Sequence, residues 1–200
     1  MTTVPSIDPA LAADGSEDDI LVEQARSGDA GAFRRLVEKY QDRVFGLAVR
    51  VAGREEADEV AQDVFLRVWR ALPRFRNDAR FSTWLYSIAY RRSCDALGSA
   101  RTRRHRERDL DTAGAVASPS PPERDPRARR IGQLVASLSE AQRAAITLFY
   151  YQDQTLADVA LTLGMPEGTV KTHLHRARAA LRRAFESPGE REVSDGLHER

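Results

Sequence analysis

Three clusters of side chains in this chain carry chemistry by type and spacing. The first is Phe75, Arg76, Asn77 and Asp78, followed by Trp84, Tyr90, Arg91 and Arg92. Aromatic rings interleaved with guanidinium groups suit a single-stranded nucleic acid, because bases stack on rings while arginines hold phosphates. Core aromatics beside solvated arginines would give the same pattern, so this cluster alone leaves both readings open. The second cluster is Lys171, Thr172, His173, Arg176 and Arg178. Arg176 lies four residues after Thr172 and three after His173, so these three share a helix face and can reach base edges. Arg178 lies off that face and suits a phosphate contact, which positions without specifying. The third cluster is acidic: Asp58, Glu59, Gln62 and Asp63. Glu59, Gln62 and Asp63 fall on one side of a helix, away from its apolar stripe, where they either meet solvent or a basic partner.

The elements that must position these clusters are helices. Around the second cluster, Leu156, Val159, Ala160 and Leu163 make one apolar face, Gly164 suits a left-handed helix end, and Pro166 cannot continue the helix. A second helix follows, with Thr169 as the expected N-cap and Val170, Leu174, Ala177 and Leu181 on its buried side. Two short helices joined by a tight turn, the second basic, form a helix-turn-helix. Ahead of it, a helix from Ala128 carries Ile131, Leu134, Val135 and Leu138, and Ser139 caps another with Ala145, Leu148 and Phe149 inward.

In the first half, Asp18 or Asp19 is the expected cap of a short helix, and Gly28-Asp29 punctuates. A long amphipathic helix from Ala30 carries Phe33, Leu36, Tyr40, Val44, Leu47 and Val51, and Gly53 ends it. The helix from about Glu55 to Leu72 buries Ala57, Val60, Ala61, Val64, Phe65, Val68 and Trp69, and Pro73 stops it. A third begins near Ser82 with Phe81, Leu85, Ile88 and Ala89 inward, and Trp84, Tyr86 and Tyr90 elsewhere. No stretch alternates with a period of two, so the fold class is all-α: two small helical domains joined by a flexible linker, the second containing the helix-turn-helix. The expected boundaries are a disordered tail over 1–16, a first domain over 17–105, a linker over 106–127 rich in Pro, Ala and Ser, a second domain over 128–186, and a disordered tail over 187–200. Fully extended, the linker reaches roughly 75 Å at about 3.4 Å per residue.

Bulk composition narrows the function classes. Over 200 residues the net charge is only +1, so any nucleic-acid surface must come from segregated charge. Segregation is present: Arg101, Arg103, Arg104, Arg106 and Arg108 crowd one stretch, and Glu55, Glu56, Asp58, Glu59 and Asp63 another. The single cysteine, Cys94, excludes an internal disulfide and a multi-cysteine zinc site. Of the four histidines, His173 and His175 are two apart and do not share a face. With no Gly-rich phosphate loop and no nucleophile–base pairing, neither an enzyme, a metal site nor a cofactor is expected. No apolar run reaches the length of a membrane span and no signal sequence opens the chain, so a cytoplasmic protein without membrane insertion is expected.

Five segments together resemble the extracytoplasmic-function (ECF) RNA polymerase sigma factors, from about Asp18 to Arg183. They are Gly28-Asp29 with Ala32-Phe33 and Leu36-Val37; Ala57 to Phe65; Phe75 with Phe81 to Ala89; Leu138 to Arg143; and Gly168 to Arg178. The resemblance implies a protein without catalysis of its own that binds core RNA polymerase, carries it to promoters and opens them. It implies that Asp58, Glu59, Gln62 and Asp63 meet the polymerase clamp helices, and that the polymerase flap is a second contact. It implies that Phe75, Arg76, Asn77 and Asp78 hold a base flipped from the −10 promoter element, with Trp84, Tyr90, Arg91 and Arg92 flanking the separated strands. Lys171, Thr172, His173, Arg176 and Arg178 then enter the major groove of the −35 element. An anti-sigma factor is a further partner that the resemblance allows. Two departures matter: Arg91 stands where the family usually has Asn in the base pocket, and Gly98 stands where an Arg is common, which predicts an early helix end. The competing class is a stand-alone repressor or activator, which has no need of the acidic helix or of the aromatic-arginine helix after it.

Overall fold

The computed structural model describes the backbone of residues 9–110 and 132–186 and the side chains of 17–106 and 132–183. Among the described residues there are helices and turns and no strand. Four helices make the first half: α1 (Pro9–Arg26), α2 (Ala30–Val51), α3 (Arg54–Ala71) and α4 (Phe81–Leu110), with a 3₁₀ turn at Leu72–Arg74. Their shared core holds Leu36, Tyr40, Val44, Leu47, Val60, Val64, Val68, Leu85 and Tyr86, all nearly or wholly removed from solvent. The stripe on α2 arises from the 3.6-residue period of its apolar positions, and its start is fixed by Asp29, whose carboxylate accepts from the N–H groups of Gly31 and Ala32 at 2.7 and 3.2 Å.

Several expectations for this half are corrected. The first helix begins at Pro9, inside the stretch read as a tail. Asp18 is not its cap: its carboxylate is buried and takes hydrogen bonds from Tyr40 Oη and, at 2.7 Å, from Lys39 Nζ. A buried carboxylate needs such partners, and these come from α2 rather than from the local backbone. Trp69 is not in the core; it is exposed at the end of α3 and meets the Phe33 ring at 4.8 Å. Tyr86 does not stand outside the core stripe of α4 but is fully buried. Gly98 does not end α4, which runs on to Leu110, twelve residues further, past the expected start of the linker. A single glycine weakens a helix by only about 1 kcal/mol, too little to stop one packed against α3 along its length. The remainder of the expected linker and the 187–200 tail lie outside the described residues.

The second half comprises α5 (132–136), α6 (Glu140–Ile146), a π turn (Thr147–Tyr151), α7 (Leu156–Leu163) and α8 (Glu167–Glu186). Ser139 and Gln142 form a reciprocal capping box at the head of α6. Thr155 caps α7, and Gly164 ends it in the left-handed region at φ 65°. The turn through Met165 and Pro166 leads into α8, which starts at Glu167, so Thr169 lies within its first turn and is not its N-cap. Leu148, Val159, Val170, Leu174 and Ala177 close the small core between these helices.

Candidate nucleic-acid interface

The aromatic cluster is assembled at the junction of the 3₁₀ turn and α4. Phe75 is buried and stacks on Trp84, with centroids 4.6 Å apart and planes at 29°. Phe81 packs edge-on against Phe75 and tilted against Trp84. Beside this stack lies a pocket of about 360 Å³ lined by Arg74, Phe75, Arg76, Asp78, Thr83 and Trp84 among others. Asn77, in the loop between, adopts φ 58°, a conformation that Asn tolerates better than most residues. An aromatic floor with arginines and one carboxylate at the rim offers stacking and hydrogen bonds to an unstacked base. Phe75 therefore supports the pocket from below, while Arg76, Asp78 and Trp84 reach its wall.

The other members of the cluster separate. Arg91 is exposed on α4, and Tyr90 is half-buried beside Cys94. Burial pushes the Tyr90 hydroxyl well above its usual range, with the neighbouring thiol adding to the effect. Arg92 does not face the pocket. It turns to α3, donates from Nε to Asp63 Oδ2, and places Nη2 3.5 Å from Glu59 Oε1. Arg103 and Arg104, further along α4, meet Glu56 and Glu55 at the start of α3.

The acidic face of α3 is divided in two by these contacts. Asp58, Glu59 and Gln62 are exposed, whereas Asp63 is half-buried and accepts from both Arg92 and Arg67 Nε, the latter at 2.9 Å. Leu66 continues the exposed stripe one turn beyond Gln62 with 54% of its surface in solvent. An open leucine flanked by polar residues is what a protein–protein contact uses as an apolar anchor. The sequence held a signal for it: Leu66 interrupts the polar side of a helix whose stripe is otherwise regular.

On α8 the buried residues are Val170, Leu174 and Ala177. The opposite face exposes Lys171, Thr172, His175, Arg176 and Arg178. His173 is turned toward the flank of the core, half-buried, with its Nδ1 atom out of contact with solvent. His175 stands one turn after Thr172 and next to Arg176, so it occupies the reading face that spacing alone had given to His173.

Residues 36–103 match the Sigma-70 region 2 family, and residues 128–181 match Sigma-70 region 4. The RNA polymerase sigma-H factor of Pseudomonas aeruginosa is 36% identical over 183 residues, which cover 85% of this chain and 94% of that protein. The ECF RNA polymerase sigma-E factor of Escherichia coli K12 is 35% identical over 176 residues, 82% of this chain and 92% of the other. The chain belongs to the ECF RNA polymerase sigma factors. This sigma factor also resembles, at a TM-score of 0.66 and 26% identity, the structure of CnrH in complex with the cytosolic domain of CnrY, covering 86% of this chain and 99% of that one. The sigma factor RpoE of Bartonella quintana, solved with the anti-sigma factor NepR, shares the fold at a TM-score of 0.64 and 21% identity, over 78% of this chain and 98% of that one. Among the described residues no helix is long and apolar enough to cross a membrane, and no group of His, Cys, Asp or Glu could hold a metal ion. Sigma factors initiate transcription without an enzymatic activity of their own, and this one carries both the region 2 and the region 4 units for that task.

Proposed function

We propose that this sigma factor binds the clamp helices of core RNA polymerase through the exposed face of α3, with Asp58, Glu59 and Gln62 as polar contacts and Leu66 as an apolar anchor. Asp63 takes part from the edge of that face, held by Arg67 and Arg92. A base from the −10 element enters the pocket beside the Phe75–Trp84 stack, where Arg76 and Asp78 meet its edges, Asn77 shapes the loop, and Tyr90 and Arg91 line the path of the strand. Arg92 acts on that path by holding α4 against α3. The second half reads the −35 element through α8. Lys171, Thr172 and Arg176 lie toward base edges, Arg178 toward phosphate, and His173 supports the helix from its flank. The first domain spans 17–105 and the second 128–186, with the residues between acting as a tether. The flap of the polymerase is the contact of the second half, and the protein works in the cytoplasm with its polymerase. CnrH is held by the cytosolic domain of CnrY, and on that likeness a partner of the anti-sigma kind is proposed here too.

The observation that carries this reading is the aromatic pocket lying on the same four-helix unit as the acidic α3 face, within a chain matching both sigma regions. A stand-alone repressor needs only the helix-turn-helix. Transcription of genomic DNA fragments by purified core polymerase, with and without this protein, separates the two. New, discrete start sites that appear only with the protein are expected; repression alone would decide for the other class.

A further inference from the structure

The two halves of this sigma factor are packed together through a seam that is largely polar. Thr83 of α4 donates to Asp158 of α7 at 2.9 Å, and Thr162 donates back to the Thr83 carbonyl at 3.5 Å. The Tyr86 hydroxyl donates to Gln152 Oε1 at 3.0 Å, and Gln152 Nε2 donates to the Arg43 carbonyl at 3.0 Å. Arg143 reaches the Arg50 carbonyl at 3.1 Å, and Arg50 in turn lies over the Tyr151 ring. Thr83, Tyr86, Gln152 and Thr162 are each at least nine-tenths buried by this contact.

The seam meets the −10 pocket at its rim. Leu161 of α7 projects into the pocket wall opposite Phe75, Arg76 and Trp84, although 60% of its own surface remains in solvent. A strand threading across Trp84 would therefore run into α7. The reading face of α8 has no such obstruction, since Thr172, His175 and Arg176 stay exposed. The seam is also suited to opening. Its buried groups are hydroxyls and amides, which water can satisfy again on separation, and inter-domain contacts of this polar kind are reversible by default.

We propose that the contact of α7 with α4 is an autoinhibitory closure: it keeps the −10 pocket shut in the free protein while leaving the −35 reading face open, and it must part before a base can enter. The proposal rests on the reading of that pocket as the −10 site. Closure is a two-state equilibrium, so weakening the seam must raise the open population and the apparent affinity of the pocket together.

The test uses the full chain with Cys94→Ser and dyes at Glu38→Cys and Arg182→Cys, two exposed positions in the two halves. Energy transfer between the dyes reports closure, and binding of a single-stranded thymidine 12-mer reports the pocket. Gln152→Ala breaks both Gln152 bonds; Tyr86→Phe breaks one of them from the other half and keeps the core ring. Circular dichroism confirms that each variant is folded. The expected result is lower transfer in both variants with affinity for the 12-mer raised about three- to tenfold, the range set by one or two hydrogen bonds. Unchanged transfer in folded variants overturns the closure. Lower transfer with unchanged binding overturns the link between seam and pocket. Adding Trp84→Ala tells the two premises apart: a 12-mer that binds equally well without Trp84 refutes the pocket assignment itself, whatever the transfer shows.

Discussion

Arg92 on α4 and Asp63 on α3 are joined by a hydrogen-bonded ion pair, and the same guanidinium leans toward Glu59. A residue that spacing places with the promoter contacts thus neutralises one that spacing places with the polymerase contacts. Burial alone would raise the Asp63 carboxyl, but the bonds from Arg67 and Arg92 outweigh it and hold the group below its ordinary value. A carboxyl depressed in the folded state stabilises above its unfolded pKa, and that stabilisation is lost as pH falls through the folded one. Thermal midpoints measured from neutral pH downward should therefore fall more steeply below about pH 4 in the native protein than in Asp63→Asn. Parallel curves would show that the pair contributes nothing to folding.

Glu59 and Leu66 are open to solvent on one face of α3, so changing them should disturb a partner and not the fold. Glu59→Lys and Leu66→Ala are each expected to weaken binding to core polymerase by about tenfold or more, as hot-spot contacts do. Melting temperatures should stay within a degree or two of the native protein, because surface changes of this kind move stability by about 0.5 kcal/mol or less. Native affinity in both variants would remove α3 from the polymerase interface.

Gly98 sits inside a continuous helix, and a Cβ built there meets nothing within 4 Å. Gly98→Ala should therefore stabilise the protein by about 0.5–1 kcal/mol, through reduced freedom of the unfolded chain and better helix propensity. A denaturant titration reads this directly. A loss of stability would mean that α4 bends or breaks at this point in solution.

The faces of α8 separate the roles of its side chains. Arg176→Ala should relax preference at particular positions of the −35 element, since one bidentate arginine–guanine pair is worth about 1–3 kcal/mol. His175→Ala should also change the preferred bases, whereas His173→Ala should chiefly lower stability. Arg178→Ala should weaken binding to all sequences alike and flatten its salt dependence. Binding to every single-base variant of the element, at two salt concentrations, resolves the four. A base-specific effect at His173 and none at His175 would reverse the assignment.

Burial, and then a hydrogen bond to Glu140, pushes the Cys94 thiol up to about 12. The thiolate is the reactive form, so alkylation at pH 8 should be at least a hundredfold slower in the native protein than in urea. A comparable rate in both would show that α4 and α6 part readily at that point.

The caps were legible in the sequence because each is decided by chemistry within four residues. Asp29, Ser139, Thr155 and Gly164 all act where their side chains or backbone preferences place them. Apolar stripes were legible for the same reason, which is why the cores of α2 and α3 held. What could not be read is which neighbour covers a residue at the edge of a stripe. Tyr86 is buried because the second half of the chain lies over α4 and supplies Gln152. Asp18 looked like a local cap, yet its partners are Lys39 and Tyr40 on another helix. His173 and His175 were equivalent by charge and type; only the packing of Val170 and Ala177 decides between them. Arg92 was grouped with the promoter contacts by adjacency to Arg91, and one helical step of about 100° carries it to a different surface.

The thirty residues of α4 form one uninterrupted rod, about 45 Å long at 1.5 Å per residue. Its head carries Phe81 and Trp84, and its far end carries Arg101, Arg103, Arg104 and Arg106. A rod of this length behaves as a lever. Torque exerted by a nucleic acid on the arginine end is delivered, undamped by any loop, to the rings some 30 Å away. Gly98, lacking a side chain to stiffen the backbone, is the one compliant joint along the described part of its shaft.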